Sequence, residues 1–138
     1  MTLAEARAAA ISLFVTQWAG RTPIDHDDDN RPTPSAPFVR IVMQPNGSIP
    51  LCWGGSVVEW QRFGYLHIQI FVPGGQGTAQ SDELAQAAAR ILEGKRLGTG
   101  GRLRLGAAAI NDIGRDEANT GMRQCNVLIA FEYEDSHA

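Results

Sequence analysis

The chain has 138 residues, of which 43% are apolar and 20% charged, the size and composition of one globular domain. Twelve basic residues stand against fifteen acidic ones, and the formal net charge is −3. A dedicated nucleic-acid binder neutralises phosphates with clustered Lys and Arg, so this balance argues against one. No apolar run approaches the roughly 20 residues that cross a bilayer. We therefore expect a single domain, residues 1–138, with no membrane association.

Two segments have the pattern of amphipathic helices. The first runs from about Leu3 to Ala19, where Thr2 and Glu5 form a capping box and apolar residues recur every four positions. The second runs from about Thr78 to Glu93, with Leu, Ala and Ile on one side and Gly94 after its last turn.

Alternating apolar residues predict strands over Phe38–Gln44, Leu66–Val72, Arg102–Ile110 and Gln124–Glu134. A short strand around Pro23–Asp25 also fits the sequence, and Ser48–Val72 is typical of a long strand pair or β-arm. Pro45-Asn46-Gly47 predicts a turn, and Asn111–Gly121 a polar loop. Adjacent strands separated by a helix favour an α+β fold. We expect one mostly antiparallel or mixed sheet of four to five strands, with both helices packed on one face.

The acidic run Asp25–Asn30 is the one candidate for a metal site. Asp25, Asp27 and Asp29 match the first three ligand positions of a calcium loop, but Asn30 replaces the turn glycine and Ala36 the bidentate Glu. A solvated acidic loop is the better interpretation. We expect no metal ion and no cofactor.

No catalytic motif is present in the sequence. Gly75-Gln76-Gly77 lies between a strand and a helix, yet the third glycine of a dinucleotide fingerprint is missing. Cys52 and Cys125 lack CxxC spacing and are expected to be buried free thiols in a reducing cytoplasm. The histidines, His26, His67 and His137, are not visibly paired with either cysteine. We expect no enzymatic activity.

Four aromatic residues fall within thirteen positions: Trp53, Trp60, Phe63 and Tyr65. Two interpretations remain open. The rings cover the core of a twisted hairpin, or they anchor a neighbouring subunit from a projecting arm, since aromatic residues are enriched at interfaces.

The order of several short motifs resembles that of the tail terminator proteins of lambda-like, long-tailed phages, and of a related family of small phage proteins without an assigned function. A helix ending in an aromatic residue leads to Thr22-Pro23-Ile24-Asp25 and then to Pro37-Phe38-Val39-Arg40. Ile68–Gly77, Asp112–Asp116 and the closing strand from Asn126 to Tyr133 follow. The resemblance covers nearly the full length. His67 departs from it, because an apolar or small residue is expected there.

The resemblance implies a structural protein of the virion neck, assembled in the bacterial cytoplasm. Such proteins form a homo-oligomeric ring, usually a hexamer, on the head-proximal end of the tail tube. The ring stops tube polymerisation and contacts both the tail tube protein and the head-tail connector, while DNA passes through the bore without specific binding. The alternatives are another neck protein, such as a connector stopper or tail completion protein, or a small bacterial enzyme or ligand-binding domain.

Overall fold

The computed structural model describes residues 1–26, 36–52, 58–74, 78–116 and 121–137. In chain order the elements are α1 (Leu3–Trp18), β1 (Ile24–His26), β2 (Phe38–Cys52), β3 (Val58–Pro73), α2 (Ala79–Leu92), β4 (Arg96–Leu97), a 3₁₀ turn (Thr99–Gly101), β5 (Leu103–Asp116) and β6 (Met122–His137). No helix in these ranges is long and apolar enough to cross a membrane.

The strands form one mixed sheet in the order β1-β2-β3-β6-β5-β4, curled into a half-barrel. β1 and β2 run parallel, and the other neighbouring pairs are antiparallel. The α+β class is therefore correct, whereas the expected four to five strands are too few, because the sheet has six. The strand that was not expected is β4, whose two residues are too few to show alternation in the sequence. The three-residue β1 corresponds to the short strand that fits the sequence around Pro23–Asp25.

The central strands are longer than the sequence indicates. Pro45-Asn46-Gly47 was expected to be a turn but lies inside β2, where the pairing with β3 shifts register between Pro45 and Gly47. The predicted polar loop over Asn111–Gly121 is also wrong for residues 111–116, which continue β5 past a second register shift between Asp112 and Gly114. Such bulges let a strand keep pairing through residues that locally favour turns.

Both helices begin and end close to the predicted residues. The Thr2 hydroxyl accepts a hydrogen bond from the Glu5 amide at 3.2 Å, and the Glu5 carboxylate accepts one from the Thr2 amide at 2.8 Å. This is the predicted capping box, which satisfies two amides that the first turn leaves without partners. After α2, Gly94 adopts a positive φ of 69°, the conformation that favours glycine where a helix ends.

The core lies between the helices and one face of the sheet. Alternate residues of β2, β3, β5 and β6 point to this face, which we call the helix face, and join α1 and α2 in one buried cluster. Its largest fully buried members are Trp18, Phe14, Leu66, Ile68, Ile70, Leu92, Leu103 and Ile129. The opposite, helix-free face carries a second small cluster of Phe38, Phe71 and Met122. In the part of the chain that the structure describes, neither helix packs on this second face.

Candidate functional site

Four of the motifs that carry the phage resemblance meet at one corner of the sheet. The Trp18 indole donates a hydrogen bond to the Thr22 hydroxyl at 3.1 Å, and that hydroxyl donates to the Pro23 carbonyl oxygen at 3.1 Å. The next motif residue, Asp25, accepts two hydrogen bonds from the Arg40 guanidinium, at 2.9 and 3.2 Å. Charge-assisted pairs of this kind fix the register of the strands that bear them.

The same corner continues onto the helix-free face. The Arg40 guanidinium lies 5.5 Å from the centre of the Phe71 ring, and Phe71 stacks on Phe38 with their centres 4.6 Å apart. Cation–π and stacking contacts together hold β2 against β3 here. We call these residues, with Trp18, Thr22 and Asp25, the motif corner. Its contacts are structural ones, and they join residues from four separate sequence motifs.

The first residue of the acidic run, Asp25, does not have the solvated side chain that the sequence predicts. Asp25 is not solvated: its side chain is only 16% exposed and is paired with Arg40. Its second oxygen, Oδ1, is buried and has no hydrogen-bond partner among the described residues. Asp27 and Asp29 lie outside the described residues. Within the described ranges, no three His, Cys, Asp or Glu residues are grouped closely enough to hold a metal ion.

The candidate nucleophile Cys125 and the candidate base His67 do not contact each other. Cys125 is a free, buried cysteine on the helix face, and burial raises the pKa of its thiol above the ordinary value, which favours the unreactive protonated form. His67 pairs with Leu128 on the helix-free face. The sheet therefore separates the two. The side chains of Cys52, His26 and His137 lie outside the described residues.

The four aromatic residues do not form one cluster. Trp60 lies on the helix face of β3, half-buried, with the Arg62 guanidinium 5.4 Å from its ring centre. Phe63 and Tyr65 lie on the helix-free face because odd and even positions of β3 alternate without interruption along β6. Phe63 is half-buried and Tyr65 is 41% exposed. Trp53 lies outside the described residues.

At one end of the sheet, β2 and β3 extend as an arm, which comprises residues 45–52 and 58–65. The arm is not a free hairpin, because β6 pairs with it as far as Val58 opposite His137. Ile49 pairs with Gln61, which places it on the same helix-free face as Phe63. Ile49 is 51% exposed, and Leu51 is 48% exposed. We call Ile49, Leu51, Phe63 and Tyr65 the arm patch.

A trough of about 370 Å³ on the helix-free face borders the arm patch. Phe63 and Tyr65 flank it, and Gly106 and Ala130 contribute little side-chain bulk to its lining. At its rim the Arg104 guanidinium donates to the carboxylates of Glu132 at 2.9 Å and Glu134 at 3.2 Å. The hydrogen bond to Glu132 raises the pKa of Arg104, and the rim holds this one cation against two carboxylates.

Sequence reasoning missed the exposed aliphatic residues. Ile110 is 48% exposed and Ile113 is 54% exposed, both on β5. Ile113 falls in the stretch predicted as a loop. Ile110 is the last residue of a predicted strand, and nothing in the sequence indicates that its side chain is exposed. Alternation predicts which face a residue takes but not whether another element covers that face.

Comparison with known proteins extends the description of the fold. No protein-family model matches the sequence, and no curated protein matches it. One solved structure, whose name states no function, is similar over 96% of this chain and 96% of its own, with a TM-score of 0.66 and 15% sequence identity. Identity this low shows a shared fold and leaves function to be argued from the surface.

Proposed function

We propose that this chain is a structural virion protein, a tail terminator that forms a ring at the head-proximal end of a phage tail tube. The ring, a hexamer by its resemblance to the lambda-like proteins, stops tube polymerisation and joins the tail to the head connector. In this role the protein has no catalytic site and needs no cofactor. It is assembled in the bacterial cytoplasm and remains in the neck of the virion.

The observation that carries the proposal is the arm patch. Two aliphatic side chains, each about half exposed, lie on an extended arm together with a half-buried and an exposed aromatic ring. Contiguous apolar patches on a small domain mark contact surfaces, because their exposure to water is unfavourable until a partner covers them. A subunit that works within an assembly accounts for such an arm, whereas a solitary enzyme does not need it.

The centre of the helix-free face supports the second part of the proposal, the passage of DNA. Carboxamide side chains share this face across four strands: Gln44, Gln69, Gln124, Asn111 and Asn126. Amides are uncharged, and Arg40 and Arg104 on the same face are each paired with a carboxylate. A bore lined by this face therefore offers little free positive charge to hold phosphates by counterion release. We orient this face toward the bore, where DNA slides past without being retained.

The test is tube capping by the purified protein. Tail tube protein from the same phage is polymerised with and without this chain, and tube lengths are measured by electron microscopy. We expect shorter tubes with a ring of extra density at one end, and antibody labelling of virions at the neck. The doubly substituted variant Ile49→Lys/Leu51→Lys is the matched control, since it keeps the core and removes the apolar arm.

Two results would contradict the proposal in different ways. Labelling at the neck with no effect on tube length would favour the connector stopper or tail completion role. Labelling at the distal end of the tail, or no incorporation into virions, would exclude a neck protein altogether.

A further inference from the structure

A cavity of about 440 Å³ lies at the base of the arm, where the start of α1 meets β2, β3 and β6. Its volume falls within the range of roughly 300–1,000 Å³ that is typical of small-ligand pockets. Leu3, Pro45, Phe63 and Phe131 form the apolar part of its lining. Such a wall suits the hydrocarbon part of a ligand, so the class of ligand is decided by the polar groups beside it.

The first of these polar groups is the hydroxyl of Tyr133. Tyr133 is only 3% exposed and belongs to the core cluster, yet it lines the cavity. Its hydroxyl makes no hydrogen bond with any residue that the structure describes. Buried hydroxyls are normally hydrogen-bonded, because the loss of their contacts with water is costly. Burial raises the pKa of Tyr133, and the Asp135 carboxylate raises it further, so at neutral pH the group keeps its proton and can donate.

The second polar group is the guanidinium of Arg62, which pairs with Tyr133 across β3 and β6. Its Nη1 donates to the Ser48 hydroxyl at 2.8 Å, and its Nε and Nη2 donate to one oxygen of Asp135, both at 3.3 Å. A guanidinium carries five N–H groups, so these three contacts hold it in place and leave two groups for a ligand.

The start of α1 adds a positive potential at the same cavity. The capping box satisfies the amides of Thr2 and Glu5, and the Leu3 and Ala4 amides have no partner within the helix. Thr2 and Leu3 line the cavity, and the N-terminal end of a helix favours a negative group close to it. The helix end, the buried phenol and the guanidinium all favour an acceptor that is negatively charged.

The charges of the lining favour a ligand with a single negative charge. Arg62 is opposed by Asp135, whose side chain is 21% exposed and lines the same cavity. A doubly charged anion would be repelled by this carboxylate. A carboxylate ligand has one charge and two oxygens, which accept from several donors at once.

We propose that this cavity binds a small organic carboxylate with an apolar body, whose oxygens accept hydrogen bonds from the Tyr133 hydroxyl and the Arg62 guanidinium. The apolar body packs against Leu3, Phe63 and Phe131. This inference goes beyond the proposed function and does not rest on it.

Benzoate is the probe for the test, since it joins one carboxylate to an apolar ring, and benzamide is its uncharged control. In a ¹H–¹⁵N NMR titration of the full chain, benzoate should shift the amide signals of Leu3 and Ser48. We expect a dissociation constant of about 1 mM for a ligand of this size. Benzamide should bind about tenfold more weakly, because hydrogen bonds to an ionised group are the stronger ones. Inorganic phosphate should also bind more weakly than benzoate.

Three variants locate the binding site. Tyr133→Phe keeps the ring in the core and removes only the hydroxyl, so the affinity for benzoate should fall about tenfold. Tyr65→Phe is the matched control, because Tyr65 is 41% exposed and lies outside the lining; it should keep the wild-type affinity. Asp135→Asn should raise the affinity, because it removes the opposing charge and keeps an oxygen for Arg62. This third variant keeps the test decisive if Tyr133→Phe does not fold.

Several results would overturn the proposal. Equal binding of benzoate and benzamide would show an apolar cavity that does not recognise a carboxylate. Unchanged affinity in Tyr133→Phe, weaker binding in Asp135→Asn, tighter binding of phosphate, or no shifts at the highest soluble benzoate concentration would each exclude the assigned site. None of these results affects tube capping, so the proposed function would stand. Conversely, a chain that binds benzoate and does not cap tubes would keep this site and lose the terminator role.

Discussion

A single methyl group at Gly64 should damage the base of the arm. Gly64 is a buried residue of β3, and a Cβ there would overlap the Gln44 carbonyl oxygen and lie 2.7 Å from Cζ of Phe131. The carbonyl belongs to the paired backbone of β2 and the Phe131 ring is 3% exposed, so neither can move aside easily. Overpacking of this kind costs about 3 kcal/mol. The unfolding entropy of a 138-residue domain is roughly 0.3 kcal/mol/K, and the melting temperature of Gly64→Ala should fall by about 10 °C.

Gly106 provides a matched control on the same sheet. A Cβ at Gly106 would lie 3.5 Å from the Ala130 carbonyl oxygen, an ordinary contact. Because alanine restricts the unfolded chain, Gly106→Ala should change stability by less than about 1 kcal/mol. Thermal unfolding followed by circular dichroism makes the comparison, at a protein concentration where the chain is monomeric, since self-association adds to apparent stability. Melting temperatures of the two variants within about 3 °C of each other would refute the reasoning.

Three further predictions concern the arm, the buried thiol and the acidic run. Replacing Trp53 and Trp60 by Ala should impair ring or tail assembly and leave a folded monomer by circular dichroism; unchanged assembly would show that these rings are not interface anchors. The free energy of unfolding should decline as pH rises above 9, because burial raises the pKa of Cys125 from 9.0 and the unfolded chain loses that proton first. Cys125→Ala should flatten the decline. An equal slope in this variant would show that another group causes the decline. A chelator should leave melting temperature and assembly unaltered, and Asn at Asp27, Asp28 and Asp29 should be tolerated; a large drop reversed by added calcium would contradict this.

The sequence predicts the long periodic elements well because periodicity is a local property. Both helices were recognised from a repeated apolar stripe, and the capping box at Thr2 and Glu5 fixed where α1 begins. The alternation of β3 and β6 likewise indicated which residues enter the core. These inferences need only the chain's own spacing, and they hold wherever an element is long enough to bury one side.

Prediction fails where a neighbour decides the outcome. Pro45 and Gly47 favour a turn, yet β3 runs beside them for the length of the arm and offers backbone partners. β2 therefore continues as a paired strand. Residues 111–116 favour a loop, yet β6 supplies a partner and a bulge at Gly114, where φ is 88°, absorbs the irregularity. Exposure at Ile49 and Ile110 also depends on which elements cover them, a property of the assembled sheet rather than of any one segment.

The residues of the motif corner stabilise the fold, whereas the proposed function rests on other residues. Asp25, Arg40 and Phe71 are motif residues, and their contacts hold β1, β2 and β3 together instead of facing a ligand. Another chain with the same motifs is therefore expected to share this corner whatever it binds. The arm patch, on which the proposed function rests, contains other residues, so substitutions there test the function while substitutions at the corner test the fold. For example, Arg40→Met should destabilise the folded chain through the loss of Asp25 pairing, whereas Ile49→Lys should leave the melting temperature of the monomer nearly unchanged and remove the ring.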